Sequence, residues 1–116
     1  IEEEKMSTEK YLKELLIQQL KQRLGRIQQE LEPVTETPPD LKIISYGMVI
    51  GYIDIITEKE ISADRIAKWK ELLSKGNKMI IIVPKEEKLK ITETLWKEGL
   101  AEKVSIGIYE INLFLP

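Results

Sequence analysis

Two aspartates, Asp40 and Asp54, are the residues of this chain best suited to chemistry. Asp40 follows Pro38 and Pro39, and Asp54 stands 14 residues later amid Ile53, Ile55 and Ile56, which leaves room for one hairpin between them. An unpaired carboxylate in so apolar a setting is costly when buried, so Asp54 is the residue most in need of a partner. The chain contains neither Cys nor His. Disulfides, thiol nucleophiles, the usual zinc ligand and the usual general base are thereby removed. Any chemistry rests on carboxylates, lysines, hydroxyls or a bound hard cation.

The stretch from Pro39-Asp40 to Asp54-Ile55-Ile56 resembles the PD-(D/E)xK family, the restriction-endonuclease-like fold. The resemblance implies that Asp40 and Asp54 hold magnesium beside a scissile phosphate, joined by a glutamate of the first helix; Glu30 is the candidate and Glu32 the second. It further implies a lysine two positions after the second carboxylate, because residues i and i+2 of a strand face the same way. That position is Ile56, which can neither position an attacking water nor stabilise charge. Lys42, two residues after Asp40, is the replacement the pattern offers, with Lys59 second. The implied catalytic set is Asp40, Asp54 and Lys42, the implied metal set Asp40, Asp54 and Glu30, and the cofactor magnesium if the site is active. With Ile56 in the lysine position, the chain is read as a noncatalytic domain of this fold serving as an interaction or assembly module. The alternatives are a divergent magnesium-dependent nuclease with a migrated lysine, and a nucleic-acid-binding module without cleavage.

The elements that must position these residues follow from periodicity. Leu12, Leu16, Leu20, Leu24, Ile27 and Leu31 fall at spacings of three and four, which predicts a long amphipathic helix over about 7–32. Ile17, Leu20, Leu24, Ile27 and Leu31 could also form a short coiled-coil seam, so the helix is expected either to pack on its own sheet or to support self-association. Prolines at 33, 38 and 39 predict an extended connector over 33–39. The α/β core then occupies 40–116. Leu41 to Tyr46 and Met48 to Ile56 read as a hairpin about Tyr46-Gly47. Ser62 is the expected N-cap of the next helix, with Ile61 and Ile66 as a hydrophobic staple and Ile66, Trp69, Leu72 and Leu73 turned inward as far as Gly76.

Met79 to Val83 is a nearly continuous apolar run closed by Pro84, which predicts a strand covered on both faces. A helix from about Glu86 to Glu98, with Leu89, Leu95 and Trp96 inward, and a last strand over roughly 104–115 complete the order helix, strand, strand, helix, strand, helix, strand. The expected fold class is α/β, with a mixed sheet carrying helices on both faces, and the order is that of the restriction-endonuclease-like core named above.

At 116 residues and 42% hydrophobic, the chain is expected to be one domain with a single core, and its start at Ile1 suggests a piece of a longer protein. No apolar run approaches the roughly 20 residues that span a bilayer, and the acidic N-terminus is unlike a signal peptide. A cytoplasmic protein is expected. Abundant Ile, Lys and Glu hint at a thermophile. A net charge of −2 gives no global field to gather nucleic acid, so nucleic-acid binding would need a local basic face. Arg65, Lys68, Lys70 and Lys75 form the most basic group, while the alternating lysines and glutamates of 85–98 read as a solvated helix face. Trp69 and Trp96 are expected in the core; Tyr46 and Tyr52 are expected to pack in the core or on a strand face, with stacking on a base as the alternative.

Overall fold

A computed structural model describes residues 2–35, 38–57 and 61–110, with side chains from residue 10 onward. The elements are α1 (Glu2–Gly25), β1 (Gln29–Pro33), β2 (Leu41–Ser45), β3 (Met48–Ile55), α2 (Ala63–Ser74), β4 (Met79–Pro84), α3 (Lys88–Lys97, entered through a 3-10 turn at Lys85–Glu87) and β5 (Val104–Tyr109). All five strands join one sheet in the order β1-β2-β3-β4-β5. β1, β2 and β3 are antiparallel neighbours, whereas β3, β4 and β5 run parallel. The fold is an α/β sandwich on a mixed open sheet. Among the described residues no helix is long and apolar enough to cross a membrane.

Alternation along the strands decides what each face buries. Leu31, Leu41, Ile43, Ile53, Ile55 and Ile82 point to one face, where Leu16, Ile17, Leu20 and Leu24 of α1 cover them. Ile56, Met79, Ile81 and Val83 point to the other, where they meet Trp69 of α2 and Ile91 and Leu95 of α3. β4 is thus apolar on both sides, as its sequence requires. The first helix spends its apolar stripe on the domain's own sheet. α2 begins where expected: Ser62 caps it by accepting from the Arg65 N–H at 3.2 Å. Gly76 and Gly99, with φ of +84° and +73°, take the left-handed turns that end α2 and α3.

The element order differs from the expected one by a strand. The three-and-four spacing runs on to Leu31, but α1 stops at Gly25 and Gln28 takes a φ of +61°. Residues 29–33 become β1 along β2, with Leu31 turned into the core. The order is therefore α-β-β-β-α-β-α-β. α3 also lies in a different phase. Ile91 and Leu95 face inward, while Leu89 is 80% and Trp96 61% exposed. Spacing alone cannot choose between two overlapping apolar stripes, and the Ile91/Leu95 pair wins because it meets the buried row of β4. The proposed continuation of the last strand past Glu110 lies outside the described residues.

A candidate carboxylate site at the end of the hairpin

Leu41 pairs with Ile53 at the start of the β2–β3 ladder. One step further along, Asp40 and Asp54 are neighbours, each just beyond or within the last paired positions. Asp40 is held by three contacts. Its carbonyl accepts from Val34 N at 3.0 Å, its Oδ2 from Ile55 N at 2.9 Å, and its Oδ1 from Lys13 Nζ of α1 at 3.2 Å. The carboxylate therefore completes the hydrogen bonding of β3 where the backbone of β2 no longer can.

Asp54 is fully buried. Its Oδ2 accepts the indole N–H of Trp69 at 2.7 Å and lies 3.1 Å from Arg65 Nε. Arg65 and Trp69 are four residues apart on α2, so one helix face delivers both donors to one oxygen. Among the described residues Oδ1 is buried with no donor, and the neighbouring carboxyl is that of Asp40. Burial pushes the Asp54 carboxyl up to about 7; Arg65 opposes the rise, Asp40 adds to it, and the Trp69 hydrogen bond lowers it. A proton on Asp54 relieves both the uncompensated oxygen and the repulsion between the carboxyls. Beyond this pair, Tyr109 of β5 donates its hydroxyl to the carbonyl of Ile56 at 3.1 Å and fastens the end of β3.

Comparison with protein-family models, with characterised proteins and with solved structures gives no match. The site has to be read from its own geometry.

The structure brings Asp40 and Asp54 together and leaves the other sequence candidates elsewhere. Glu30 is on the exposed side of β1 rather than on a helix, paired in register with Ile44. Glu32 lies 3.6 Å from Lys42, so the lysine turns to β1 and not to Asp40. The cation beside Asp40 is instead Lys13. Ile56 is buried in the same apolar cluster as Trp69. Lys59 lies outside the described residues. Among the described residues no three Asp, Glu, His or Cys side chains converge on a point that could hold a metal ion. Magnesium, implied by the family resemblance, does not fit this donor set: three of the four carboxylate oxygens already accept from protein donors, and the fourth is enclosed.

Lys13, Arg65 and Trp69 were not expected here. Lys13 gives no sequence signal, being 27 residues from its partner. Arg65 and Trp69 did give one, since their i, i+4 spacing places a cation and an indole donor side by side on the helix that follows Asp54. The basic group of α2 is not a free phosphate-binding face. Arg65 faces Asp54, Lys68 and Lys75 lie 4.0 and 3.5 Å from Glu71, and Lys70 is 2.7 Å from Glu98.

The outer side of the β1–β2 half of the sheet has a different character. Gln28, Glu30, Glu32, Lys42, Ile44, Tyr46, Gly47 and Val49 line a groove of about 700 Å³ there. Among the described residues none of the buried core on the α2 and α3 side comes from β1 or β2. The hairpin tip exposes Tyr46, Met48, Val49 and Ile50 in near succession, Tyr46 at 88%. Exposed apolar residues in such a run form a patch rather than isolated side chains.

Proposed function

We propose that this chain is a noncatalytic domain of restriction-endonuclease-like type that works as an interaction or assembly module. The observation that carries this reading is the enclosure of Asp54: fully buried, with Arg65 and Trp69 on one oxygen. A carboxylate in a phosphodiester-cleaving site must present lone pairs to a metal beside the substrate, and this one presents them to the protein. Ile56 in the core supports the same reading, as does the turning of Lys42 to Glu32. The contact surface is the groove on the outer side of β1 and β2 with the apolar tip about Tyr46. Its Glu30 and Glu32 oppose a phosphate backbone, which favours a protein over a nucleic acid as the partner.

The test is cleavage of single-stranded, duplex and branched DNA and of RNA in magnesium and in manganese, with Asp54→Ala as the control for contaminating nuclease. The expected result is no cleavage attributable to the folded protein. Cleavage that disappears with Asp54→Ala would replace this reading with that of a rearranged nuclease.

A further inference from the structure

The phase of α3 leaves two large apolar side chains, Leu89 and Trp96, exposed on its surface. They are seven residues apart and share one stripe of the helix. Glu98, two residues past Trp96 and so roughly 200° further round, reaches Lys70 of α2 at 2.7 Å. The stripe therefore lies on the flank turned away from α2. Since α2 joins β3 to β4 and α3 joins β4 to β5, that flank is the one beside the last strand. β5 is the edge of the sheet. Val104 and Ile106 pack on the α3 side, so the half-exposed Ile108 belongs to the same face by alternation. β4 and β5 are parallel, with Pro84 beside Tyr109, so α3 starts over the end of β5 and finishes over its beginning. Leu89 stands at the Ile108 end and Trp96 at the Val104 end.

We propose that β5 and this flank of α3 form the interface of a two-fold homodimer, in which the β5 edges of two copies pair antiparallel and each Leu89 meets the partner's Trp96. This goes beyond the contact surface proposed above and does not depend on it. The case for a second copy lies in the two edges of the sheet. An edge strand presents unpaired N–H and C=O groups and is normally blunted by charge or proline. β1 is blunted in this way: it ends in Pro33, and pairing with its own copy about Leu31 would set Glu30 against the partner's Glu32. β5, Val-Ser-Ile-Gly-Ile-Tyr, carries neither charge nor proline, and among the described residues no strand lies on its outer side. A two-fold axis normal to the sheet reverses the strand and the helix above it together, so the Leu89 end of one α3 comes beside the Trp96 end of the other. A register centred on Ile106 would place Glu102 opposite the partner's Glu110. Centring on Gly107 avoids that clash of charge and lays Ile108 beside the partner's Ile106. An extended peptide would fill the strand edge alone and leave Leu89 and Trp96 bare, whereas a second copy covers both layers with one operation.

Sedimentation of the full chain over a concentration series tests this and should show a monomer–dimer equilibrium. Leu89→Lys and Trp96→Glu, both at exposed positions, should each weaken the dimer by about ten-fold or more while leaving Tm close to wild type. Mixing the two variants should recover a heterodimer, because one new ion pair and one intact Leu89–Trp96 contact then lie across the axis. General apolar stickiness would not be rescued by mixing. Amide exchange should show the β5 groups not bonded to β4 becoming protected as the dimer forms, with the β1 edge unchanged. Ile108→Lys should weaken the dimer in the same way and takes the place of either helix variant that fails to fold. A wild-type chain that stays monomeric throughout the series would overturn the proposal. So would a dimer that survives these substitutions, a mixture that stays dissociated, or protection that falls on β1 or on the Tyr46 tip instead. None of these outcomes bears on the cleavage test.

Discussion

Trp69 donates its indole N–H to the buried Oδ2 of Asp54 across 2.7 Å, joining the middle of α2 to the end of β3. Trp69→Phe keeps the ring in the core and removes that donor. The expected cost is about 1–3 kcal/mol, because a buried acceptor loses a partner. Because the Trp69 bond lowers the Asp54 pKa, the variant should also titrate at higher pH. Urea unfolding measures the first effect and carboxyl-resolved NMR the second.

Asp54 also sets a pH dependence whose sign is unusual for an aspartate. Its pKa is raised on folding, from 3.8 to about 7, so the folded state holds a proton that the unfolded chain has released. Its contribution is most favourable below about pH 4 and is lost as pH rises through 7. The other carboxylates follow their own course, so the measurement is a difference. The stability of wild type relative to Asp54→Asn, followed by urea titration, should fall steadily between pH 4 and pH 7 and level off above.

Restoring the missing lysine should not restore chemistry. Ile56 is fully enclosed in the cluster that holds Trp69, so Ile56→Lys drives an ammonium into an apolar core. The expected loss is more than about 3 kcal/mol, the range of an unpaired buried charge. Thermal denaturation and the cleavage assay together should show a destabilised protein without nuclease activity.

These expectations also show why the sequence was only partly legible. The hairpin, the Ser62 cap, the doubly covered β4 and the glycine stops were readable because each depends on neighbours within a few residues. Glu30 was not, because Leu31 satisfies a helical spacing and a strand's inward position equally well, and only the pairing of 29–33 with β2 decides between them. Asp54 announced that it needed a partner. The partner's identity turned on how α2 is rotated over β3, which is tertiary information. Lys13 belongs to the same class, since nothing near it in sequence points to Asp40.

Asp40→Ala should uncouple two things at once. The Ile55 amide loses its acceptor and Lys13 loses its counter-charge. Amide hydrogen exchange at Ile55 should accelerate far more than at Ile53, with a global cost of about 2 kcal/mol. Lys13→Met should leave Ile55 exchange close to wild type, which separates the backbone role of Asp40 from its ion pair.

The hairpin tip offers a stabilising change. Tyr46 and Gly47 both take positive φ, +51° and +77°, the signature of a turn that prefers Asn-Gly. Tyr46→Asn should raise stability by about 1 kcal/mol by relieving left-handed strain, at the expense of the exposed Tyr46–Gln28 hydrogen bond at 3.3 Å. The same variant should weaken any complex formed through the tip. Chemical denaturation and sedimentation read the two effects separately.

The polar pair at the ribbon's end acts on the alignment of the strands as well as on their strength. β2 departs from regular pairing between Ile43 and Ile44, and such a bulge is itself one device that pins a register. Sliding β2 by one residue would turn Leu41 and Ile43 out of the α1 layer, and it would also carry Asp40 away from both Ile55 N and Asp54. Apolar side chains can re-pack after such a shift. A carboxylate with a fixed donor cannot, so Asp40 and Asp54 act as a key that admits one alignment of the hairpin and rejects the next.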